Sequence, residues 1–285
     1  MKIALIGLGE VGRILAEDLA DGNTLSAWDI AFGSPASPAA RNARELPVRV
    51  STDAADAVRS ANLVISAVTA ANDLSASTDV ASDIESGAWI LDLNSASPAQ
   101  KQQAAALIDT AGGRYVEAAV LSPIHPKRIG SPILLGGPHA SDFVEVARAL
   151  GFTGVEFFAP SVGPASATKL CRSVVVKGLE ALLMESMLTA RTWGVENPVL
   201  DSLSNLLPAA DWAALAEYMI RRSVEHGERR SEEMVEAAST VANAGVEALM
   251  ATATARRQAL AGNQRDALVA DDLGGLLDAI RAART

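Results

Sequence analysis

The segment KIALIGLGEVG (Lys2–Gly12) decides the fold of this chain. Its first half is a short apolar run that ends at glycine, a pattern typical of a buried β-strand. Its second half has the form G-x-G-x-x-G: Gly7 permits a tight turn, Gly9 lets a pyrophosphate approach the backbone, and Gly12 lets a helix pack on the strand. Asp29 ends the next predicted strand, where it can accept hydrogen bonds from a ribose diol. The segment therefore predicts a dinucleotide-binding βαβ unit; the alternative is a glycine-rich turn without a ligand.

Downstream of this unit, short apolar runs alternate with helical patterns as far as Pro160, and every later pattern is helical or loop. Alternation of this kind implies a parallel sheet with right-handed crossovers. We expect an α/β fold in which a Rossmann-type, doubly wound, mostly parallel sheet (residues 1–160) is followed by an all-α domain (residues 161–285). The helices predicted in the second domain cover residues 164–193, 197–207, 211–226 and 228–253, with a frayed tail near 265–283.

The first of these helices is the longest. Gly163 and Pro164 are a helix-start signal, and Gly194 is a stop signal, so about 30 residues form one helix of about 45 Å. Its middle is apolar on nearly every side, which predicts a buried helix.

A polar stripe nevertheless follows this helix, because Ser173 and Lys177 lie only about 40° and 80° round the axis from Lys169. Buried charges need partners or a function. One interpretation is a binding site along the stripe. The other is that the lysines reach solvent or pair with Glu180.

Composition narrows the class of protein. The chain has 285 residues, of which 49% are hydrophobic, and a net charge of −10, which argues against nucleic acid or an anionic membrane surface as a partner. No apolar run has the length of a transmembrane helix, and the first one stops at Leu8, too early for a signal peptide. The one cysteine, Cys171, fits a reducing compartment, so we expect a cytoplasmic protein, and its place in the apolar helix favours a packing role.

Four segments together resemble, in type and order, the motifs of the β-hydroxyacid dehydrogenase family, which includes 6-phosphogluconate and 3-hydroxyisobutyrate dehydrogenases. They are Gly7–Gly12, Asp92–Ser95, Glu117–Pro123 and Gly163–Lys169. The resemblance covers about residues 1–180 and is nearest to a branch that has its own helical C-terminal domain.

The resemblance implies a nicotinamide cofactor. The family's cofactor-covering loop after the fourth strand matches Val68 and Thr69, and its segment near the nicotinamide ribose matches Asp92–Ser95, with Ser95 in the hydroxyl position. The expected cofactor-binding residues are therefore Gly7, Gly9, Glu10, Val11, Gly12, Asp29, Val68, Thr69, Asn94 and Ser95. Since Asp29 favours an unphosphorylated ribose, we expect NAD, with NADP the less favoured cofactor.

The family's substrate motif, Asp-Ala-Pro-Val-Ser-Gly-Gly, matches a run in which Leu121 replaces the serine and Ser122 and Pro123 follow. Its lysine motif, Gly-x-x-x-x-x-Lys-x-x-x-Asn, matches Gly163 and Lys169, whereas Ser173 replaces the asparagine. The resemblance implies that Lys169 is the catalytic acid/base. The expected substrate contacts are Leu121, Ser122, Pro123, Ser173 and Lys177, the last of which is not part of the general family pattern.

Two basic clusters remain open to two interpretations. One comprises His125, Lys127 and Arg128, and the other His226, Arg229 and Arg230. Either could hold an acidic substrate, but the first could equally be a solvated loop, and the arginines of the second could pair with Glu232, Glu233 or helix neighbours. The histidines lack a spacing typical of metal ligands, so no metal site is expected.

Together these observations predict an NAD-dependent oxidoreductase acting on a small hydroxy acid, and a homodimer, because a long apolar helix needs cover. The alternatives are an imine reductase, an oxidative decarboxylase, or a non-catalytic dinucleotide-binding protein.

Overall fold

The structure is a computed structural model that describes residues 1–205, 208 and 211–283. Its first part is built on one eight-stranded sheet of order β3-β2-β1-β4-β5-β6-β7-β8. The strands are β1 Lys2–Ile6, β2 Thr24–Trp28, β3 Arg49–Val50, β4 Leu63–Ser66, β5 Trp89–Asp92, β6 Arg114–Val120, β7 Ile133–Gly136 and β8 Val155–Ala159. All neighbours pair in parallel except β6 and β7. The predicted doubly wound, mostly parallel sheet is confirmed.

Helices cover both faces of this sheet, as the near-continuous apolar strands require. They are α1 Glu10–Leu19, α2 Pro38–Glu45, α3 Ala54–Val58, α4 Asp73–Ala81, α5 Pro98–Thr110 and α6 Ala140–Ala149. Alternate residues of β1 point to opposite cores: Ile3 and Leu5 join the cluster under α1, α2 and α6, and Ala4 and Ile6 the cluster under α3, α4 and α5. Because β1 lies between β2 and β4, the winding direction reverses at β1, and ligands of such sheets bind at this point, beyond the carboxyl ends of the strands.

The long helix, α7, runs over Pro164–Trp193 and has 30 residues, with the start and stop predicted from the sequence. Gly194 follows with a φ of +67°, the left-handed conformation that commonly ends a helix. The chain divides into two compact units, Met1–Lys169 and Leu170–Thr285. The division thus falls inside α7, whereas the sequence places the domain boundary at residue 160.

The second unit is helical, as predicted. After α7 come α8 Glu196–Leu203, α9 Trp212–Asn243, α10 Leu249–Gly262 and α11 Leu273–Ala282. The predicted end of one helix at residue 207 lies outside the described residues. Among the described residues, no helix is both long and apolar enough to cross a membrane.

The helix break predicted at Gly227 is wrong, because α9 continues through this residue for 32 residues in all. The glycine serves packing instead of termination. A Cβ at Gly227 would stand 2.5 Å from the backbone nitrogen of Gly262 and would overlap the carbonyl oxygen of Gln258. A hydrogen at this position therefore lets the backbones of α9 and α10 approach closely.

The expectation that α7 is buried on all sides is also wrong in part. Leu183, Met184 and Met187 lie in the core of the helical unit. On the opposite side, Val175 is 71% exposed and Trp193 is 76% exposed. Cys171, expected to be packed, is exposed as well.

The glycine contact between α9 and α10 can be tested by substitution. We expect Gly227→Ala to lower the free energy of unfolding of the helical unit by about 1–3 kcal/mol, because the methyl group would overlap α10. Gly178→Ala is the matched control: the nearest atom to its new methyl group is Thr254 Oγ1 at 3.9 Å, and alanine favours a helix over glycine by up to about 1 kcal/mol. Urea unfolding followed by circular dichroism measures both, and equal midpoints would contradict the close approach of the two backbones.

Candidate functional site

The glycine turn after β1 admits no side chain at two of its three glycines. Gly7 has a φ of +94°, and a Cβ there would lie 2.5 Å from the carbonyl oxygen of Ala67. A Cβ at Gly12 would overlap the carbonyl oxygen of Gly7. Gly9 differs, because among the described residues no atom beyond its own and those of its chain neighbours lies within 4 Å of the place where its Cβ would be. The turn is therefore tightly packed against the protein at Gly7 and Gly12, and it leaves open space at Gly9.

The amino end of α1 lies at this opening. Gly9 is the N-cap of α1 and offers no side-chain hydrogen bond, and the first helical bond runs from the Arg13 N–H to the Gly9 carbonyl. The preceding N–H groups, including those of Glu10 and Val11, have no acceptor within the helix. Amide donors and the positive end of the helix dipole thus face the open side of the turn, which is the arrangement that binds a pyrophosphate.

Asp29, expected to contact the ribose, has a second role that the sequence did not reveal. One of its carboxylate oxygens accepts the Leu8 N–H at 2.7 Å, and the other accepts the Ala31 N–H at 2.8 Å. Each oxygen keeps a further acceptor site. Asp29 therefore ties the end of β2 to the glycine turn and still has acceptor capacity, and its contact with a ribose stays a prediction.

Asn94 connects the carboxyl ends of β4 and β5. Its Oδ1 accepts the Val68 N–H at 2.7 Å, and its Nδ2 donates to Ser66 Oγ at 2.9 Å and to Asp73 Oδ1 at 2.6 Å. With its side chain only 3% exposed, Asn94 shapes the segment that carries Val68 and Thr69. Of the other expected cofactor contacts, Thr69 is exposed and Ser95 is half-buried; contact of these residues with a cofactor stays a prediction.

A fully buried ion pair lies beside Asn94, and sequence reasoning missed it. Lys101 Nζ is 2.6 Å from Asp92 Oδ1, and Tyr115 donates its hydroxyl to Asp92 Oδ2 at 2.6 Å. Lys101 is 0% exposed. The sequence does contain a signal: Lys101 shares one face of α5 with Ala104, Ala105 and Ile108, so a lysine stands on the apolar side of an amphipathic helix.

Asp73 is a further carboxyl group in this network. Burial raises its pKa from the ordinary value of 3.8 to about 7, and the neighbouring Asp92 carboxylate adds to the effect. Its Oδ2 is buried without a hydrogen-bond partner. Burial likewise holds the pKa of the Tyr115 hydroxyl well above its usual value, so Tyr115 remains a donor to Asp92. One lysine thus faces two acids, and burial favours the protonated form of Asp73.

The expected substrate segment follows β6. Leu121 and Ser122 are half-buried and Pro123 is exposed. The hydroxyl oxygen of Ser122 is buried without a hydrogen-bond partner. Arg128, in the basic loop that follows, is paired with Glu17 and Asp18 of α1, which raise its pKa. Arg128 therefore forms an ion pair with α1, which neither interpretation of this loop anticipated.

Lys169 lies in the second turn of α7, half-buried, in the same compact unit as the glycine turn. The start of this helix is held by a buried carboxylate: Glu117 of β6 accepts the N–H of Gly163 and that of Ser166, each at 2.8 Å. The expected catalytic lysine is thus carried by a turn that is anchored to the sheet.

Ser173 and Lys177 are buried residues of the helical unit. Lys177 pairs with Glu233 of α9, and burial lowers the pKa of the Lys177 ammonium although Glu233 opposes the shift. Pairing with a carboxylate was one of the two interpretations of Lys177, but its partner is Glu233, because Glu180 pairs with Arg230. Contact of Ser173 or Lys177 with a substrate stays a prediction.

The second basic cluster is also paired. Arg229 lies 2.9 Å from Glu233, and His226 lies 3.3 Å from Glu225. Throughout the described part of the chain, no group of three or more histidine, cysteine, aspartate or glutamate side chains is placed to hold a metal ion.

Comparison with known proteins agrees with this geometry. Residues 2–160 match the family model of the NAD binding domain of 6-phosphogluconate dehydrogenase. The chain belongs to this β-hydroxyacid dehydrogenase-like family. Its helical part matches, over residues 190–260, a domain of unknown function, DUF1932. This family member therefore combines a dinucleotide-binding domain with a C-terminal helical domain.

Several relatives of this family member span nearly its whole length. A conserved hypothetical protein from Sinorhizobium meliloti is 34% identical, covering 100% of this chain and 97% of that one, with a TM-score of 0.73. A second solved protein, MTH1747, described as structurally similar to 3-hydroxyacid dehydrogenases, is 28% identical, covering 96% and 99%, with a TM-score of 0.69. An uncharacterized 28.5 kDa protein from Methanothermus fervidus is 26% identical over 236 residues, 83% of this chain and 89% of the relative.

The raised pKa of Asp73 makes the stability of this family member depend on pH. The folded protein binds the proton more tightly than the unfolded chain between pH 3.8 and about 7, so this contribution to stability is present at the acid end and is lost as pH rises toward 7. We expect Asp73→Asn, which imitates the protonated acid, to be more stable than the wild type by roughly 1–3 kcal/mol at pH 8 and to show no such advantage near pH 4. Urea unfolding at several pH values measures this difference.

The control for that series is Asp79→Asn, which removes an exposed carboxyl group from the same helix. We expect its stability difference from the wild type to be small and nearly independent of pH between 4 and 8. If the stability difference between Asp73→Asn and the wild type were also independent of pH, the raised pKa assigned to Asp73 would be contradicted.

Proposed function

We propose that this protein is an NAD-dependent oxidoreductase that transfers hydride between the nicotinamide and a small hydroxy acid, with Lys169 as the acid/base. The observation that carries the proposal is the uncapped amino end of α1 at a glycine turn that is open only at Gly9, in the same compact unit as Lys169. Nicotinamide, when bound, supplies the hydride acceptor. The chain's own residues bind the cofactor and the substrate, orient them, and exchange the proton.

The residues at the glycine turn suit a dinucleotide. The N–H groups at the start of α1 would bind the pyrophosphate, and Asp29 would accept from the ribose hydroxyls. Val68 and Thr69, on the segment shaped by Asn94, lie across the winding reversal from the glycine turn, at the end of β4. These two segments would hold opposite sides of the cofactor.

Lys169 would move the proton that accompanies hydride transfer. In the oxidation direction its neutral amine accepts the hydroxyl proton of the substrate, and in the reduction direction its ammonium donates that proton to the carbonyl oxygen. Ser122, whose hydroxyl lacks a hydrogen-bond partner among the described residues, would meet the substrate together with Leu121 and Pro123. Ser173 and Lys177 follow Lys169 along one face of α7, within about 80°. Lys177 is already paired with Glu233, so its contact with an acidic substrate would require that pair to open.

Similar folds carry more than one reaction. Solved structures of the same fold include a Mycobacterium tuberculosis 3-hydroxyisobutyrate dehydrogenase with L-serine, 19% identical, and an Aspergillus terreus imine reductase, 22% identical. At these identities the likeness concerns the fold alone. Lys169 is the feature that favours hydroxy acid chemistry over imine reduction, since imine reductases commonly lack this lysine. A non-catalytic dinucleotide-binding protein would not require a lysine at this position of the helix.

The catalytic role is tested by Lys169→Ala. We expect the variant to bind NAD as the wild type does and to lose at least about a hundredfold in turnover, the scale of acid/base catalysis. Lys2→Ala is the control, because Lys2 is an exposed lysine at the amino end of β1, away from the carboxyl ends of the strands. A screen of hydroxy acids and sugar acids, followed by NADH absorbance, identifies the substrate. If Lys169→Ala turned over the substrate at the wild-type rate, Lys169 would not be the acid/base.

The proposed cofactor is NAD in preference to NADP. A 2′-phosphate would place a second anion beside the Asp29 carboxylate. Arg41 and Arg44, which could neutralise that phosphate, donate instead to the carbonyl oxygens of Ala36 and Pro35. We expect kcat/KM to favour NAD by on the order of 100-fold. Equal values, or a preference for NADP, would show that Asp29 does not select the ribose.

We also propose a homodimer and, from the single cysteine, a cytoplasmic location. Support for the dimer comes from the exposed apolar side of α7, where Val175, Leu182 and Trp193 lie within about 20° of one another round the helix axis. A stripe of this kind is typical of an interface. We expect Leu182→Glu to shift the protein from dimer to monomer in light scattering, while Leu107→Glu in α5, 36% exposed, leaves it dimeric. A monomeric wild type at micromolar concentration would contradict the proposal.

A further inference from the structure

The first turn of α7 has a cap of unusual origin. Gly163 is the residue before the helix, and its carbonyl accepts the first helical bond, from the Ala167 N–H. In an ordinary capping box, side chains from the helix itself accept the N–H of the capping residue and the N–H three residues later. Here Glu117, 46 residues upstream on β6, accepts both, with Oε2 on Gly163 and Oε1 on Ser166. One carboxylate from the sheet thus replaces the whole capping box.

The surroundings are built to hold this carboxylate. Glu117 is 0% exposed. On the neighbouring strand, Gly136 leaves room for it, since a Cβ at Gly136 would lie 2.5 Å from Glu117 Oε2. Gly163 has a φ of +125°, a conformation that side chains disfavour, and this conformation presents its N–H to Glu117. One hydrogen-bonded contact therefore depends on three positions: Glu117 on β6, Gly136 on β7 and Gly163 just before α7.

Two further contacts hold the same turn within this compact unit. Gln102 of α5 donates to the Val162 carbonyl at 3.1 Å. Ala165 is buried in a small cluster with Ala119 of β6 and Leu134 of β7. The start of α7 is thus attached to β6, β7 and α5.

Lys169 follows Ser166 by three residues, about one turn or 4.5 Å along the axis. Its side chain leans toward the amino end of the helix, which is where Glu117 binds. Resting on the proposed function, we propose that Glu117 is a positioning residue for Lys169. Its carboxylate fixes the first turn of α7, and the helix transmits that fixed position to the next turn, from which the lysine reaches the substrate hydroxyl. Displacements of about 1 Å in such groups cost about a hundredfold in rate, so an anchored turn matters for catalysis.

The first experiment needs no substrate. Hydrogen exchange, followed by mass spectrometry, compares the peptide covering residues 160–170 in the wild type, in Glu117→Gln and in Asp272→Asn. Asp272 is the matched control, because it also accepts an N–H at the start of a helix, that of Gly275 in α11. We expect exchange in this peptide to rise roughly tenfold or more in Glu117→Gln, since glutamine replaces one of the two accepting oxygens with an NH₂ donor, and to be unchanged in Asp272→Asn. Wild-type exchange in Glu117→Gln would overturn the proposal.

The second experiment separates positioning from general stability. On a substrate that the wild type oxidises, we expect Glu117→Gln to lower kcat about tenfold or more with little change in the KM for NAD. In the Lys169→Ala background, the same substitution is expected to cause no further loss, because its effect passes through the lysine. Equal factors in the two backgrounds would overturn the proposal and assign Glu117 a structural role alone.

Should Glu117→Gln fail to fold, Gly136→Ala displaces the same carboxylate while keeping its charge, and the same exchange and kcat results are expected. If the wild type oxidised none of the acids offered, the proposed function would fail, while the exchange experiment would still decide whether Glu117 holds the turn that carries Lys169.

Discussion

Contact between backbone atoms at the glycine turn is the constraint on which the Rossmann-type unit depends. A side chain at Gly12 would overlap Gly7, and a side chain at Gly7 would overlap Ala67 after β4. Only with hydrogens at both positions can α1 pack on β1 while β4 pairs on the other side. The same closeness leaves the N–H groups of α1 facing outward at Gly9, so the packing that closes the fold also creates the anion-binding site.

Much of this architecture is predictable because it depends on short-range signals. Each signal lies within a few residues of the element that it specifies. This holds for the glycine spacing, for the alternation of strands and helices, and for the start and stop of α7 at Gly163 and Gly194. Gly227 shows the limit of such signals. A glycine inside a helical pattern indicates a break when read locally, but here it faces Gly262 of another helix, and that partner cannot be inferred from spacing alone.

The partners of the buried charges could not be predicted from the sequence for a related reason. Lys101 and Asp92 belong to different elements, and Glu117 and Gly163 are 46 residues apart, so neither pairing has a local pattern. In the helical unit, pairing of Lys177 with a carboxylate was one of the interpretations left open by the sequence, but its partner on α9 was not foreseen. Each of these charges joins two or more elements. Removing one partner leaves the other buried without compensation, at a cost of about 3–5 kcal/mol.

The cap supplied by Glu117 also makes the number of residues between Gly163 and Lys169 matter. The carboxylate sets the phase of the helix at Gly163 and Ser166, and every later position follows from 3.6 residues per turn. An insertion of one residue between the cap and the lysine would rotate Lys169 by about 100° and carry it onto another side of the helix. The length of this segment, and not only its composition, therefore decides which side of the helix carries the lysine.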